Sequence, residues 1–168
     1  MKNNIKRTAV FGILTTVALV LSYVEAILPP IWPAVPGVKV GLPNIVIIFL
    51  LYKVGVKEAA IVSGIRIILV ALLFGNAMTL AYSTAGAVLS LALMYLFKRL
   101  DFFSTMGVSI VGAVAHNLAQ ISVAILLFRT LEIGYYMIIL AVTGTLAGVF
   151  VGLTASVLLK KFNKIKLF

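Results

Sequence analysis

Apolar residues run along this chain in long stretches rather than in the every-second-residue alternation of a half-buried strand, and charged residues fall mainly in the gaps. A stretch of about 20 such residues crosses bilayer hydrocarbon as a helix. Runs of that kind occupy 8–28, 43–54, 58–75, 77–97, 105–128 and 134–159, which predicts six transmembrane helices in one domain covering 1–168. The second run is short, because Lys53, Lys57 and Glu58 leave barely a dozen apolar residues, so a tilted, half-spanning or fused element is expected there. The first run is too long, and too lacking in a small-residue cleavage site before Pro29, for a removable signal peptide, and reads as a retained span.

Polar residues inside these runs carry the chemistry, since hydrocarbon penalises each of them. In AVAHNLAQISVA, residues 113–124, the chain's single histidine stands with Asn117 and Gln120. Residues three and four apart share a helix face, so Ser109, Gly112, His116 and Gln120 form one stripe, with Asn117 beside it. Two explanations stand: hydrogen-bonding glue between helices, worth about 0.6–2 kcal/mol per contact, or the polar wall of a ligand pocket. Arg66 sits in the middle of the third run, where a cation costs roughly 2.5–3.5 kcal/mol on insertion scales, and Glu25 near the outer end of the first run is the one carboxylate within the membrane. Arg66 either pairs with Glu25 or binds an anion, and the two roles are compatible.

The fourth run adds Thr79, Ser83, Gly86 and Ser90 at helical spacing, with Tyr82 adjacent and Asn76 at the preceding outer turn. Small residues form two ladders: Gly144, Gly148, Gly152 and Ser156 on the sixth run, and Thr8, Gly12 and Thr16 on the first. Such ladders let helices approach closely. The first could serve internal packing or dock another membrane subunit.

Composition agrees with a membrane protein: 63% of the 168 residues are hydrophobic, 11% are charged, and mean hydropathy is +1.22. The formal charge of +10 follows from topology. With both termini in the cytoplasm, eleven cations fall inside (Lys2, Lys6, Arg7, Lys53, Lys57, Lys98, Arg99, Lys160, Lys161, Lys164, Lys166) against Lys39 and Arg129 outside. That asymmetry fits the positive-inside rule and contact with anionic headgroups, so nucleic acid is not needed to explain the basicity. The location expected is the cytoplasmic membrane of a prokaryote. All five prolines lie in LPPIWPAVPGVKVGLPN, 28–44, predicting a structured outer loop in which Trp32 sits at the interface or lies as a lid over a ligand. The absence of cysteine removes disulfides and thiolate chemistry.

Four segments in order, VKVGLPNIVIIFLLYKVG (38–55), SGIRIILVALLFGN (63–76), STAGAVLSLALMYLFKR (83–99) and GVSIVGAVAHNLAQISVA (107–124), resemble the Gx transporter family, also named heptaprenyl diphosphate synthase component I. That family is similar to the substrate-binding S components of energy-coupling factor (ECF) transporters. The resemblance implies a bundle of six transmembrane helices; no cofactor is expected, and a single histidine cannot make a metal cluster. It also implies a small-molecule substrate, anionic or isoprenoid-like, near the outer face, and partnership with a transmembrane coupling protein and two ATPases. Its ligand would lie beneath the loop 29–43, with Arg66, His116, Asn117, Gln120, Glu25, Asn76, Ser83 and Lys39 as candidate contacts. The Thr8, Gly12 and Thr16 face would meet the coupling protein, although many S components carry an alanine-rich ladder there. No GxxxxGKS or GxxxxGKT loop occurs, so ATP hydrolysis would belong to the partners.

The family's second name supplies a rival, a membrane partner of an isoprenoid diphosphate synthase. Catalysis of that kind holds diphosphate through magnesium on clustered carboxylates. Here Glu25, Glu58, Asp101 and Glu132 are scattered, with no DDxxD-like cluster, so the chain is expected not to be an enzyme. A third reading, a proton-coupled carrier using His116, lacks an apparent inverted repeat.

Overall fold

A computed structural model describes residues 2–29 and 40–164. Among them the regular structure is entirely helical: α1 (Lys2–Ile27), α2 (Asn44–Lys53), α3 (Val56–Leu73), α4 (Ala77–Arg99), α5 (Thr105–Phe128) and α6 (Tyr136–Lys161), the last preceded by a 3-10 turn over Leu131–Tyr135. The six apolar runs thus correspond one to one with six helices. Boundaries shift where hydropathy and hydrogen bonding diverge: α1 begins at Lys2 and α6 continues to Lys161, because backbone bonding carries the helix into charged flanks that an apolar run leaves out.

Side-chain caps set two of the starts. Asn76 accepts the Thr79 N–H at 2.8 Å ahead of α4, and the Ser104 hydroxyl accepts the Gly107 N–H at 3.2 Å ahead of α5. Among the described residues four segments are long and apolar enough to cross a membrane: Ile5–Ile27, Ala77–Arg99, Thr105–Phe128 and Leu131–Lys161. The 18 residues of α3 include Lys57, Glu58 and Arg66. With 10 residues, α2 is about 15 Å long, half of a 30 Å hydrocarbon core. Every residue of α2 from Ile45 to Leu51 is buried, as a helix apolar on all sides must be to find partners all round it.

Glycines bring α4, α5 and α6 together. A Cβ on Gly148 would stand 2.6 Å from Ile110 Cα, and one on Gly152 would stand 2.7 Å from Met106 Cα, so α6 meets the backbone of α5 directly. On the opposite side of α5, Gly112 receives Met94 of α4. The core proper gathers α2 with Ala18, Ala59, Val62, Met94, Val108, Val151 and Ala155. Outward surfaces carry large apolar side chains such as Ile13, Ile61, Leu72, Val88, Leu146 and Val157, a covering consistent with a multi-pass membrane protein.

Cations mark one end of the bundle. Arg7 pairs with Glu58 at 2.7 Å, joining the starts of α1 and α3. Lys98 donates to the Leu51 carbonyl at 2.6 Å, and Lys53 to those of Phe162 and Asn163 at 2.8 and 3.1 Å. These contacts bring the starts of α1 and α3 together with the ends of α2, α4 and α6, so the helices alternate in direction. Lys53 and Lys98, read from the charge count as span-flanking cations that meet headgroups, satisfy carbonyls that helix ends leave open.

Candidate functional site

The alternating helices enclose a cavity of about 540 Å³. Its deep end is formed by Ile48, Met94 and Ser109, each within about 8 Å, measured along its own helix, of the cationic end. The opposite end reaches Leu28, Pro29, Val40, Phe74 and Gly75. Between them α5 contributes Ser109, Gly112, Ala113, His116, Asn117 and Gln120, the stripe and its flank that helical spacing put on one face.

Arg66 enters this cavity from α3 about 15 Å along its helix from the cationic end, and His116 from α5 at about 17 Å, so their backbones share a depth. Only 9% of Arg66 is exposed. Its Nη1 donates to the Ser22 hydroxyl at a long 3.4 Å, and its Nε has no hydrogen-bond partner. Glu25, one turn above Ser22 on α1, lines the same cavity, and its carboxylate accepts the Gly41 N–H. Gly41 adopts φ +77°, a left-handed turn conformation open to glycine, and this aims its N–H back at α1. Among the described residues Arg66 is in direct ion-pair contact with no carboxylate, so cation and carboxylate face one space without touching.

The amides serve both structure and site. Asn117 Nδ2 donates to the Leu140 carbonyl of α6 at 2.8 Å, a bond permitted by Gly144, whose Cβ would stand 2.7 Å from that nitrogen. Asn117 is therefore helix glue and cavity wall at once. The His116 ring packs against Gly86 of α4, where a Cβ would lie 2.6 to 2.8 Å from three ring atoms.

Glu25, Arg66, Ser83, His116, Asn117 and Gln120, drawn from four helices, all line this single cavity. Asn76 is not among its lining residues; it is exposed and caps α4. Lys39 and Trp32 lie outside the described residues. Thr8, Gly12 and Thr16 are exposed along α1, and a Cβ on Gly12 would meet nothing within 4 Å. Ser22 is a further wall residue, and its three-residue spacing from Glu25, which places both on one face of α1, is the signal that could have found it. Gly86, legible in the sequence only as a member of a stripe, is the seat of His116.

Among the described residues the cavity offers one cation, one carboxylate, amides and hydroxyls within apolar walls, a set suited to holding a small polar molecule. No group of three or more His, Asp or Glu side chains among the described residues is placed to hold a metal ion.

The family model described as heptaprenyl diphosphate synthase component I matches residues 14–158. Comparison with curated proteins and with solved structures gives no match.

Proposed function

The chain belongs to the heptaprenyl diphosphate synthase component I family, and from this premise we propose that it is the substrate-binding membrane subunit, the S component, of an ECF-type uptake transporter. The observation that carries the reading is the cavity, where six candidate residues, including a buried arginine with an unfilled hydrogen-bonding position, converge inside an apolar bundle. In this reading the single domain crosses a prokaryotic cytoplasmic membrane with both termini and the cationic end in the cytoplasm. The cavity then opens outward, and an anionic group on the substrate meets Arg66. The subunit binds and does not catalyse. Movement across the membrane requires a coupling protein, which the exposed Thr8, Gly12 and Thr16 face would contact, and two ATPases.

A second reading follows from the family's description: a non-catalytic membrane partner of a heptaprenyl diphosphate synthase. Under this reading the same cavity would hold an isoprenoid or a regulator of the synthase.

Affinity purification of the full chain from its native host in mild detergent, with mass spectrometry of co-purifying proteins, separates the two. A membrane coupling protein with two ATPases supports the transporter reading. A soluble prenyl diphosphate synthase without ATPases refutes it.

A further inference from the structure

The charges inside the cavity specify more than an anion. Arg66 is the one cationic side chain among the described lining residues and Glu25 the one carboxylate. Each is only partly satisfied. The guanidinium has a single 3.4 Å bond to Ser22 and an unpartnered Nε, and Glu25 accepts one backbone N–H from Gly41. Ser22 and Glu25 stand three residues apart on one face of α1, and the guanidinium beside Ser22 makes no ion pair with the Glu25 carboxylate. Opposite charges attract strongly in a low-dielectric interior, yet here Glu25 bonds the Gly41 turn and Arg66 bonds Ser22.

We infer that the cavity takes a small zwitterion, an amino-acid-like molecule whose carboxylate meets Arg66 and whose ammonium meets Glu25. The inference rests on reading the cavity as a ligand site. A ligand of this class completes both hydrogen-bonding shells and leaves the cavity neutral. A diphosphate brings several negative charges to a single arginine and sets them within one helical turn of a carboxylate, where like-charge repulsion opposes it. A simple cation meets the same objection at Arg66. Beyond the charged pair, Asn117, Gln120 and the Ser90 and Ser109 hydroxyls offer neutral hydrogen bonds, while Ile48, Met94 and Val151 offer apolar contact to a side chain.

Equilibrium dialysis against the full chain in lipid nanodiscs tests the inference, with mass spectrometry of the retained molecules. Four probes are compared: the twenty protein amino acids as a pool, the same pool N-acetylated, the same pool as carboxamides, and isopentenyl diphosphate. We expect retention from the free amino-acid pool, with affinity at least tenfold higher than for the N-acetylated and amidated counterparts of the retained molecule. In Glu25→Gln, whose side-chain carbonyl still accepts the Gly41 N–H, the preference over the N-acetylated form should vanish while the preference over the amide persists. Isopentenyl diphosphate or an N-acetylated acid bound as tightly as any free amino acid overturns the zwitterion inference and leaves the cavity reading standing. Retention of nothing from the four probes also overturns it. The cavity reading falls with it only if protein purified from the native host releases no small molecule on denaturation.

Discussion

Replacing Gly148 with alanine adds one methyl group at the tightest point of the α5–α6 seam. Its Cβ would lie 2.6 Å from Ile110 Cα, 3.0 Å from Ile110 N and 3.1 Å from the Ser109 carbonyl oxygen. Non-bonded carbons pack best at about 3.5–4.0 Å, so the helices must part by roughly 1 Å over this turn. The obstacle is backbone, which cannot rotate aside as a side chain can. Overpacking of this kind costs about 1–3 kcal/mol, or roughly 5- to 150-fold in the folded population at 1.4 kcal/mol per factor of ten. Alanine also gains up to about 1 kcal/mol over glycine in helix propensity, and Gly12→Ala and Gly64→Ala measure that gain alone, because a Cβ at either position meets nothing within 4 Å. Unfolding by SDS titration in mixed micelles, followed by circular dichroism, should place Gly148→Ala about 1–3 kcal/mol below both controls. Equal stability for the three variants would refute the argument that backbone contact at the glycine ladder closes the bundle.

Asn117→Ala removes the 2.8 Å bond to the Leu140 carbonyl and should lower stability in the same titration by about 0.6–2 kcal/mol; an unchanged midpoint would deny Asn117 its role as glue. Gly86→Ala pushes on the His116 ring instead of on backbone, so it should shift the histidine NMR resonances and weaken retention of the native ligand while destabilising the bundle less than Gly148→Ala. Gly12→Leu should leave the isolated chain at least as stable as wild type, since its Cβ faces open space, yet reduce co-purification of the coupling protein; loss of stability without the partner would place that face inside the bundle.

Periodicity made the walls of the cavity readable in advance. Ser109, Gly112, His116 and Gln120 share a face because 3.6 residues make a turn, and Arg66 demanded a polar setting because hydrocarbon penalises a cation wherever it lies. The partners of these residues were less legible, because they depend on how helices rotate against each other. Nothing local to Ser22 marks it as the hydroxyl beside Arg66, and nothing local to Gly41 marks its N–H as the donor to Glu25. Hydropathy showed that α2 was short, but only packing shows it buried along seven consecutive residues from Ile45 to Leu51. Asn76 had the composition of a binding residue and the position of an N-cap, and the cap is the role its hydrogen bond displays. For Lys53 and Lys98, a count of charges could give the side of the bundle and not the carbonyls they meet.

The most direct test of the account is native mass spectrometry of the full chain purified from its own host, wild type beside Ser83→Phe, a substitution that fills the cavity from α4 without changing its charges. A small-molecule adduct is expected on the wild-type protein and is expected to be absent from a Ser83→Phe protein of unchanged helicity. An adduct equally abundant on both proteins, or none on either, would contradict the claim that this cavity is where the protein holds its ligand.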